Sequence, residues 1–140
     1  MILEIEIQGA LKIKEQFPET LLLFMVPPSA QVLEDRLRGR GTETEEVVQK
    51  RLRRAVEEAE FIEKYDYLIG MEERNRRNML RILGKDPEKK VSLLLDYADE
   101  HGDIADPWYT GNFDITYRDV VRGCEGFLTY LEGKGQIIMN

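Results

Sequence analysis

Phosphate chemistry leaves a spacing that can be searched for. Gly, four residues, Gly, Lys and Ser or Thr place a run of backbone N–H groups and one ammonium around nucleotide phosphates. Two Gly-Lys pairs test for it. Gly84-Lys85 is followed by Asp86 and has Met79 where the first glycine belongs, while Gly133-Lys134 is followed by Gly135 and has Leu128 there. Neither is a phosphate loop. The single cysteine, Cys124, rules out an internal disulfide, and with one histidine, His101, the zinc sites built from several Cys or His ligands are out of reach. Asp99, Glu100, His101 and Asp103 gather oxygen-rich ligands, but their spacing fits no calcium loop, and a solvated acidic turn accounts for them. Any chemistry therefore falls to carboxylates, arginines or the backbone, and no metal or cofactor is expected.

Positioning such groups requires a frame, and hydrophobic periodicity supplies one. Leu3, Ile5 and Ile7 alternate with Glu4, Glu6 and Gln8, the two-residue period of a strand with one wetter face. Ala10 to Gln16 reads as a helix before Pro18. The apolar run Leu21 to Val26 reads as a strand covered on both faces. Pro27, Pro28 and Ser29 close it, with Ser29 as the cap of a helix through Leu37. Thr42 to Lys64 is a long amphipathic helix, with Val48, Leu52, Ala55, Ala59 and Ile62 on one stripe. Tyr65 to Ile69 is a third strand, Glu72 to Leu83 a helix stopped by Gly84, and Val91 to Tyr97 a fourth strand. After a polar loop, Ala98 to Asp114, a last helix carries Tyr117, Val121, Cys124, Leu128 and Leu131 on its stripe. That pattern predicts Cys124 to be buried.

Alternating strands and helices predict an α/β fold: a three-layer, four-stranded, mainly parallel sheet of flavodoxin-like or Rossmann-like kind, five-stranded if Gln136 to Met139 adds a strand. At 140 residues, 1–140 is read as a single fused domain, with 132–140 a tail or added strand. The formal charge of −7 divides as −4 over residues 1–69 and −3 over 70–140, which argues against a nucleic-acid partner. No apolar run approaches the ~20 residues of a membrane helix. MILEIEI has no basic n-region. A soluble, cytoplasmic protein is the expectation, with no membrane partner.

Two stretches carry family resemblances. Leu3 to Ile69, with LEIEIQGALKIKEQFPETLLLFMVPPS, LEDRLRGRGTETEEVVQKRL and YDYLI, resembles the later part of a guanylate kinase. Ile69 to Leu131, with IGMEERNRRNMLRILG, LLLDYADEHGD, ADPWYTG and GCEGFLTYL, resembles the later part of a low-molecular-weight protein tyrosine phosphatase. The two meet at YDYLIGM, an apolar strand end that serves both families, so the chain reads as a chimera, engineered or naturally recombined. In guanylate kinases the strand carrying the phosphate loop separates those matching Leu3 to Ile7 and Leu21 to Val26. Without it, the resemblance implies either a compact order 2-1-3-4 or insertion of Gln136 to Met139.

The first resemblance implies that Arg36, Arg40 and Arg51 match lid arginines that close on nucleotide phosphates. Glu6 stands where that family has an aspartate near guanosine monophosphate. Against this stands a plain reading of residues 36–54 as a helical hairpin laced by Glu34, Glu45, Glu46 and Glu57. The second implies that Asp106 matches the acid that protonates a leaving tyrosine oxygen, flanked by Trp108 and Tyr109. That family's nucleophile is a cysteine followed six residues later by an arginine, and Cys124 is followed there by Tyr130. An acid with no nucleophile opposite does no turnover, and Asp106-Pro107 then packs Trp108. The expectation is a scaffold without catalysis. A residual phosphate or guanine-nucleotide module is the alternative, and an enzyme completed by another chain, through self-association, the second.

Overall fold

The computed structural model describes residues 1–26, 30–86 and 88–138. The side chains of Ala30, Ala55 and Ala59 lie outside the description, as does the proposed Ser29 cap. Residues 1–68 and 69–140 form two compact units.

The first unit opens with residues 1–6 outside regular structure, followed by α1 (Ile7–Gln16). The expected strand Leu3–Ile7 is therefore not formed. Alternation of apolar and polar residues satisfies a strand only when a neighbouring backbone is there to bond. Here the Glu6 carbonyl instead accepts the Ala10 N–H at 3.0 Å and starts a helix that buries Ala10. Leu3 and Ile5 stay exposed. α1 ends at Phe17, whose N–H donates to the Ile13 carbonyl at 2.8 Å, ahead of Pro18.

β1 (Leu23–Met25) is shorter than the run that announced it. It is not covered on both faces: Leu23 and Met25 are 43% and 47% exposed, and only the flanking Leu22 and Val26 are buried. Asp66 organises the entry to the next strand. Its Oδ2 accepts the Leu22 N–H at 2.8 Å and a bond from Lys14 Nζ at 3.0 Å, while Asp66 and Tyr67 N–H groups donate to the Leu22 carbonyl. Between these strands α2 (Ala30–Gly39) and α3 (Glu45–Glu60) pack as a hairpin over buried Val32, Leu37 and Val48. Gly41, at φ +62°, turns the chain in the left-handed region that glycine tolerates. The long helix expected over 42–64 is α3 followed by a separate 3₁₀ turn, Ile62–Lys64.

β2 (Tyr67–Gly70) holds four buried residues, with Leu68 and Ile69 essentially inaccessible. Among the described residues the sheet has three parallel strands in the order β1-β2-β3, not four or five. β1 lies directly beside β2, which displaces the expected 2-1-3-4 order. Of the proposed terminal strand, Gln136 to Ile138 is irregular and Met139 lies outside the described residues.

In the second unit α4 (Glu73–Leu83) starts from a network centred on Asn75, the one buried polar residue among those described. Its Oδ1 accepts the N–H groups of Met71 at 3.0 Å and Glu72 at 3.1 Å. Asp103 Oδ1 accepts from Glu73 N–H at 2.8 Å, and Gly84 ends the helix as expected. β3 (Val91–Leu93) stops early because Asp96 turns back to accept the Leu93 N–H at 2.8 Å, so Leu94–Tyr97 becomes a 3₁₀ turn rather than more strand. Inside the expected loop, α5 (Pro107–Thr110) forms one helical turn.

α6 (Phe113–Gly133) packs on that 3₁₀ turn through Gly123, Phe127 and Leu131. A Cβ on Gly126 would stand 2.0 Å from the Tyr97 carbonyl oxygen, and one on Gly123 2.5 Å from Leu94 Cγ. Two glycines one turn apart thus let helix backbone meet turn backbone. The buried line is offset from the predicted stripe: Tyr117 is 73% exposed and Cys124 is exposed, not buried. No described helix is long and apolar enough to cross a membrane.

Candidate functional site

In the first unit the helical hairpin holds the arginines singled out from sequence. Arg36, half-buried on α2, and Arg40, exposed just beyond it, lie one turn apart, the Arg40 N–H donating to the Arg36 carbonyl at 3.2 Å. Arg51 on α3 pairs with Glu43 at 2.8 Å. Glu6 sits 3.6 Å from Arg54, so the carboxylate faces another hairpin cation.

The most strongly held cation is one that sequence reasoning passed over. Arg38 bonds Glu34 through Nε at 2.9 Å and Nη2 at 2.8 Å, and grips Glu45 as a fork, Nη2 to Oε1 at 2.8 Å and Nη1 to Oε2. That fork, joined by Gln49 Nε2 at 3.0 Å, holds the Glu45 carboxyl at about 2, below its ordinary 4.5. The Arg38 guanidinium is raised above its already high value by Glu45 first and Glu34 second. The i,i+4 spacing of Glu34 and Arg38 was the signal available. The plain reading of a charge-laced hairpin describes Arg38 with Glu34 and Glu45.

In the second unit Asp106 is the N-cap of α5. Its Oδ1 accepts the Trp108 N–H at 2.9 Å and its carbonyl those of Tyr109 and Thr110 at 3.1 Å. Pro107 follows at the first helical position, where its missing N–H costs nothing. Trp108 and Tyr109 are 49% and 65% exposed, so Trp108 is not packed away as expected. Thr116 Oγ1 donates to the Ala105 carbonyl at 2.7 Å, tying the start of α6 to the approach to Asp106.

Cys124 lies on α6 with its thiol side exposed. Tyr130 forms an aromatic cluster with Tyr97 at 5.0 Å and Phe127 at 6.4 Å, and Lys134 stands over its ring. The acidic turn is used structurally. Asp103 caps α4, and Glu100 pairs with Arg122 at 2.9 Å, a bond that lowers the Glu100 carboxyl and raises the Arg122 guanidinium. No group of three or more His, Cys, Asp or Glu among the described residues could hold a metal ion. Asn75, Gly123 and Gly126 also escaped the sequence reading, although Gly-x-x-Gly within an apolar helix signals close approach.

Helices alternating with parallel strands define an α/β protein. The guanylate kinase family model matches residues 1–77, more than half of the chain, and the chain belongs to that family. It is 55% identical over 73 residues to the guanylate kinase of Halalkalibacterium halodurans, covering 52% of this chain and 36% of that protein. The guanylate kinase of Desulfitobacterium hafniense is 52% identical over 73 residues with the same coverage. The chain thus spans about a third of the length of the curated relatives it matches.

Solved structures share the fold. YfkJ from Bacillus subtilis superposes with a TM-score of 0.52 at 21% identity, covering 82% of this chain and 97% of that one. The apo protein tyrosine phosphatase of Entamoeba histolytica, described with a disordered active site, gives 0.50 at 16% identity over 86% and 100%.

Proposed function

We propose that these 140 residues are a fused α/β scaffold. A guanylate-kinase-like segment continues at β2 into a small-tyrosine-phosphatase-like segment, and neither site of origin turns over. One observation carries the reading. Where a phosphatase loop needs an arginine six residues after its cysteine, Tyr130 packs against Tyr97 and Phe127, and Cys124 sits within a continuous helix instead of a loop. A helix turns its N–H groups toward its own carbonyls, so they are not free to gather around a phosphoryl group. Asp106 has no thiolate to serve and works as a cap.

The experiment is an assay of the 140-residue chain with para-nitrophenyl phosphate, and with ATP plus guanosine monophosphate. Rates indistinguishable from buffer are expected. Turnover abolished by Cys124→Ser or Arg51→Gln would overturn the proposal.

Family membership and the placement of Arg36 on α2 and Arg40 one turn on, just past its end, favour a second reading, a module that still holds phosphate or guanosine monophosphate without reacting it. Saturable amide shifts near Arg36, Arg40 and Arg51 during titration would establish it. Flat spectra would remove it.

A further inference from the structure

We infer that the exposed face of α4 and the turn after it is a docking surface for an acidic, leucine-bearing peptide segment of a protein partner. Seven of the ten Lys and Arg in residues 70–140 fall between 74 and 90, against only Asp86 and Glu88, in a chain whose net charge is −7. Three of these cations are matched locally. Arg74 pairs with Glu72 at 3.1 Å, Arg76 with Asp96 and with Glu73 at 3.7 Å, and Lys90 with Glu88 at 3.4 Å. Asp86 faces the backbone, accepting the N–H groups of Lys90 at 2.8 Å and Val91 at 3.0 Å. Arg77, Arg81, Lys85 and Lys89 are exposed and have no acidic partner among the described residues.

These four are presented on a built frame. Arg77, Leu80 and Arg81 stand at i, i+3 and i+4, one face of the helix. Leu80, between the two arginines on that face, is 39% exposed. Gly84 at φ +69° ends the helix, and Lys89 at φ +53° occupies a left-handed backbone that a lysine rarely adopts. Asp86 holds that turn closed. Attraction to the helix dipole explains a cation in the last turn, which covers Arg81 alone. Arg77 lies a turn earlier, and Lys85 and Lys89 lie beyond the helix.

Charge complementarity selects the occupant. A nucleic acid or an anionic bilayer meets the repulsion of the whole chain at long range, and the exposed aromatic side chains that stack on bases, Trp108, Tyr109, Phe113 and Tyr117, stand on α5 and α6. A short acidic segment with aliphatic side chains matches both the four cations and the exposed Leu80 between Arg77 and Arg81.

The test titrates the labelled full chain with a short peptide of Glu and Asp carrying two leucines. Saturable amide shifts confined to Arg77 through Lys89 are expected, weakening as salt rises. Arg77→Glu with Arg81→Glu lowers affinity by about tenfold or more while spectral dispersion is kept. Lys85→Glu with Lys89→Glu gives an independent pair should the first disturb α4. Absence of saturable shifts, shifts mapping elsewhere, or undiminished binding by a folded variant overturns the proposal. So does tighter binding of poly-uridylate RNA or phosphatidylserine vesicles than of the peptide. Equal binding when the leucines are replaced by serine overturns it as well.

Discussion

Residues 1–68 and 69–140 are held in different ways. In the first unit the charged residues of the α2–α3 hairpin satisfy one another at the surface, in the Arg38 fork to Glu34 and Glu45 and in the Arg51–Glu43 pair. In the second, polar groups are built into the frame. Asn75 closes the start of α4 from a buried position, Asp96 folds back on Leu93, and Gly123 and Gly126 admit the 3₁₀ backbone. The guanylate kinase family model covers the whole first unit, where curated relatives reach about half identity, while solved structures that share the fold over most of the chain are only 21% and 16% identical. Sequence likeness and geometric constraint are therefore separate properties. The better-matched segment leans on exposed pairs that water weakens; the other leans on contacts with no room to give.

The sharpest way to break that comparison is Gly126→Ala. A Cβ at 2.0 Å from a backbone oxygen cannot be relieved by a rotamer change, so α6 must lift from the turn. We expect a loss above about 4 kcal/mol in urea denaturation, in the range reserved for severe packing errors. A loss below half of that would show that the two backbones are not in close contact. Asn75→Ala comes next. It strands the Met71 and Glu72 N–H groups where water enters poorly, and about 2–3 kcal/mol should be lost on the same assay. Asp106→Ala removes a cap from a single turn, with an expected cost of about 1 kcal/mol and no change in any phosphatase rate.

The smallest effect belongs to the first unit. Arg38→Gln should lower the denaturation midpoint only slightly at neutral pH, because water screens an exposed pair, and move the Glu45 titration from about 2 toward 4.5 in carboxyl-detected NMR. Because the folded value lies below the ordinary one, this pairing stabilises fully above about pH 4.5 and is lost as pH falls through about 2. A Glu45 titration unchanged by Arg38→Gln would sink the fork as its cause.

Much of the helical frame was legible. α3 and α6 follow from apolar residues recurring at three and four and α4 from its Gly84 stop, because a helix makes its backbone bonds within itself. The strands were less so. The alternation at Leu3 to Ile7 and the largely apolar stretch Val91 to Tyr97 satisfy a strand's pattern, but a strand also needs a partner backbone. In the first place a helix captured the carbonyl of Glu6, and in the second the Asp96 side chain captured the Leu93 N–H. Of the candidate residues, sequence placed Asp106 before a proline-led turn but not its capping bond. The Arg38–Glu34 half was open to sequence through its i,i+4 spacing, but the fork to Glu45, seven residues on, requires the angle at which α3 returns along α2.

Residue order by itself determined the chemistry available: one thiol, one imidazole, no phosphate-loop spacing, tyrosine where an arginine would complete a thiol loop, and a run of cations between 74 and 90. Only the tertiary structure decided which of those groups are occupied. Asp106 meets its capping partners within four residues, but whether Cys124 faces outward or Arg77 goes without an acid depends on distances between segments far apart in sequence. Those distances follow from how helices and strands pack, since burial fixes backbones first and side chains then bond whatever polar group lies within about 3 Å.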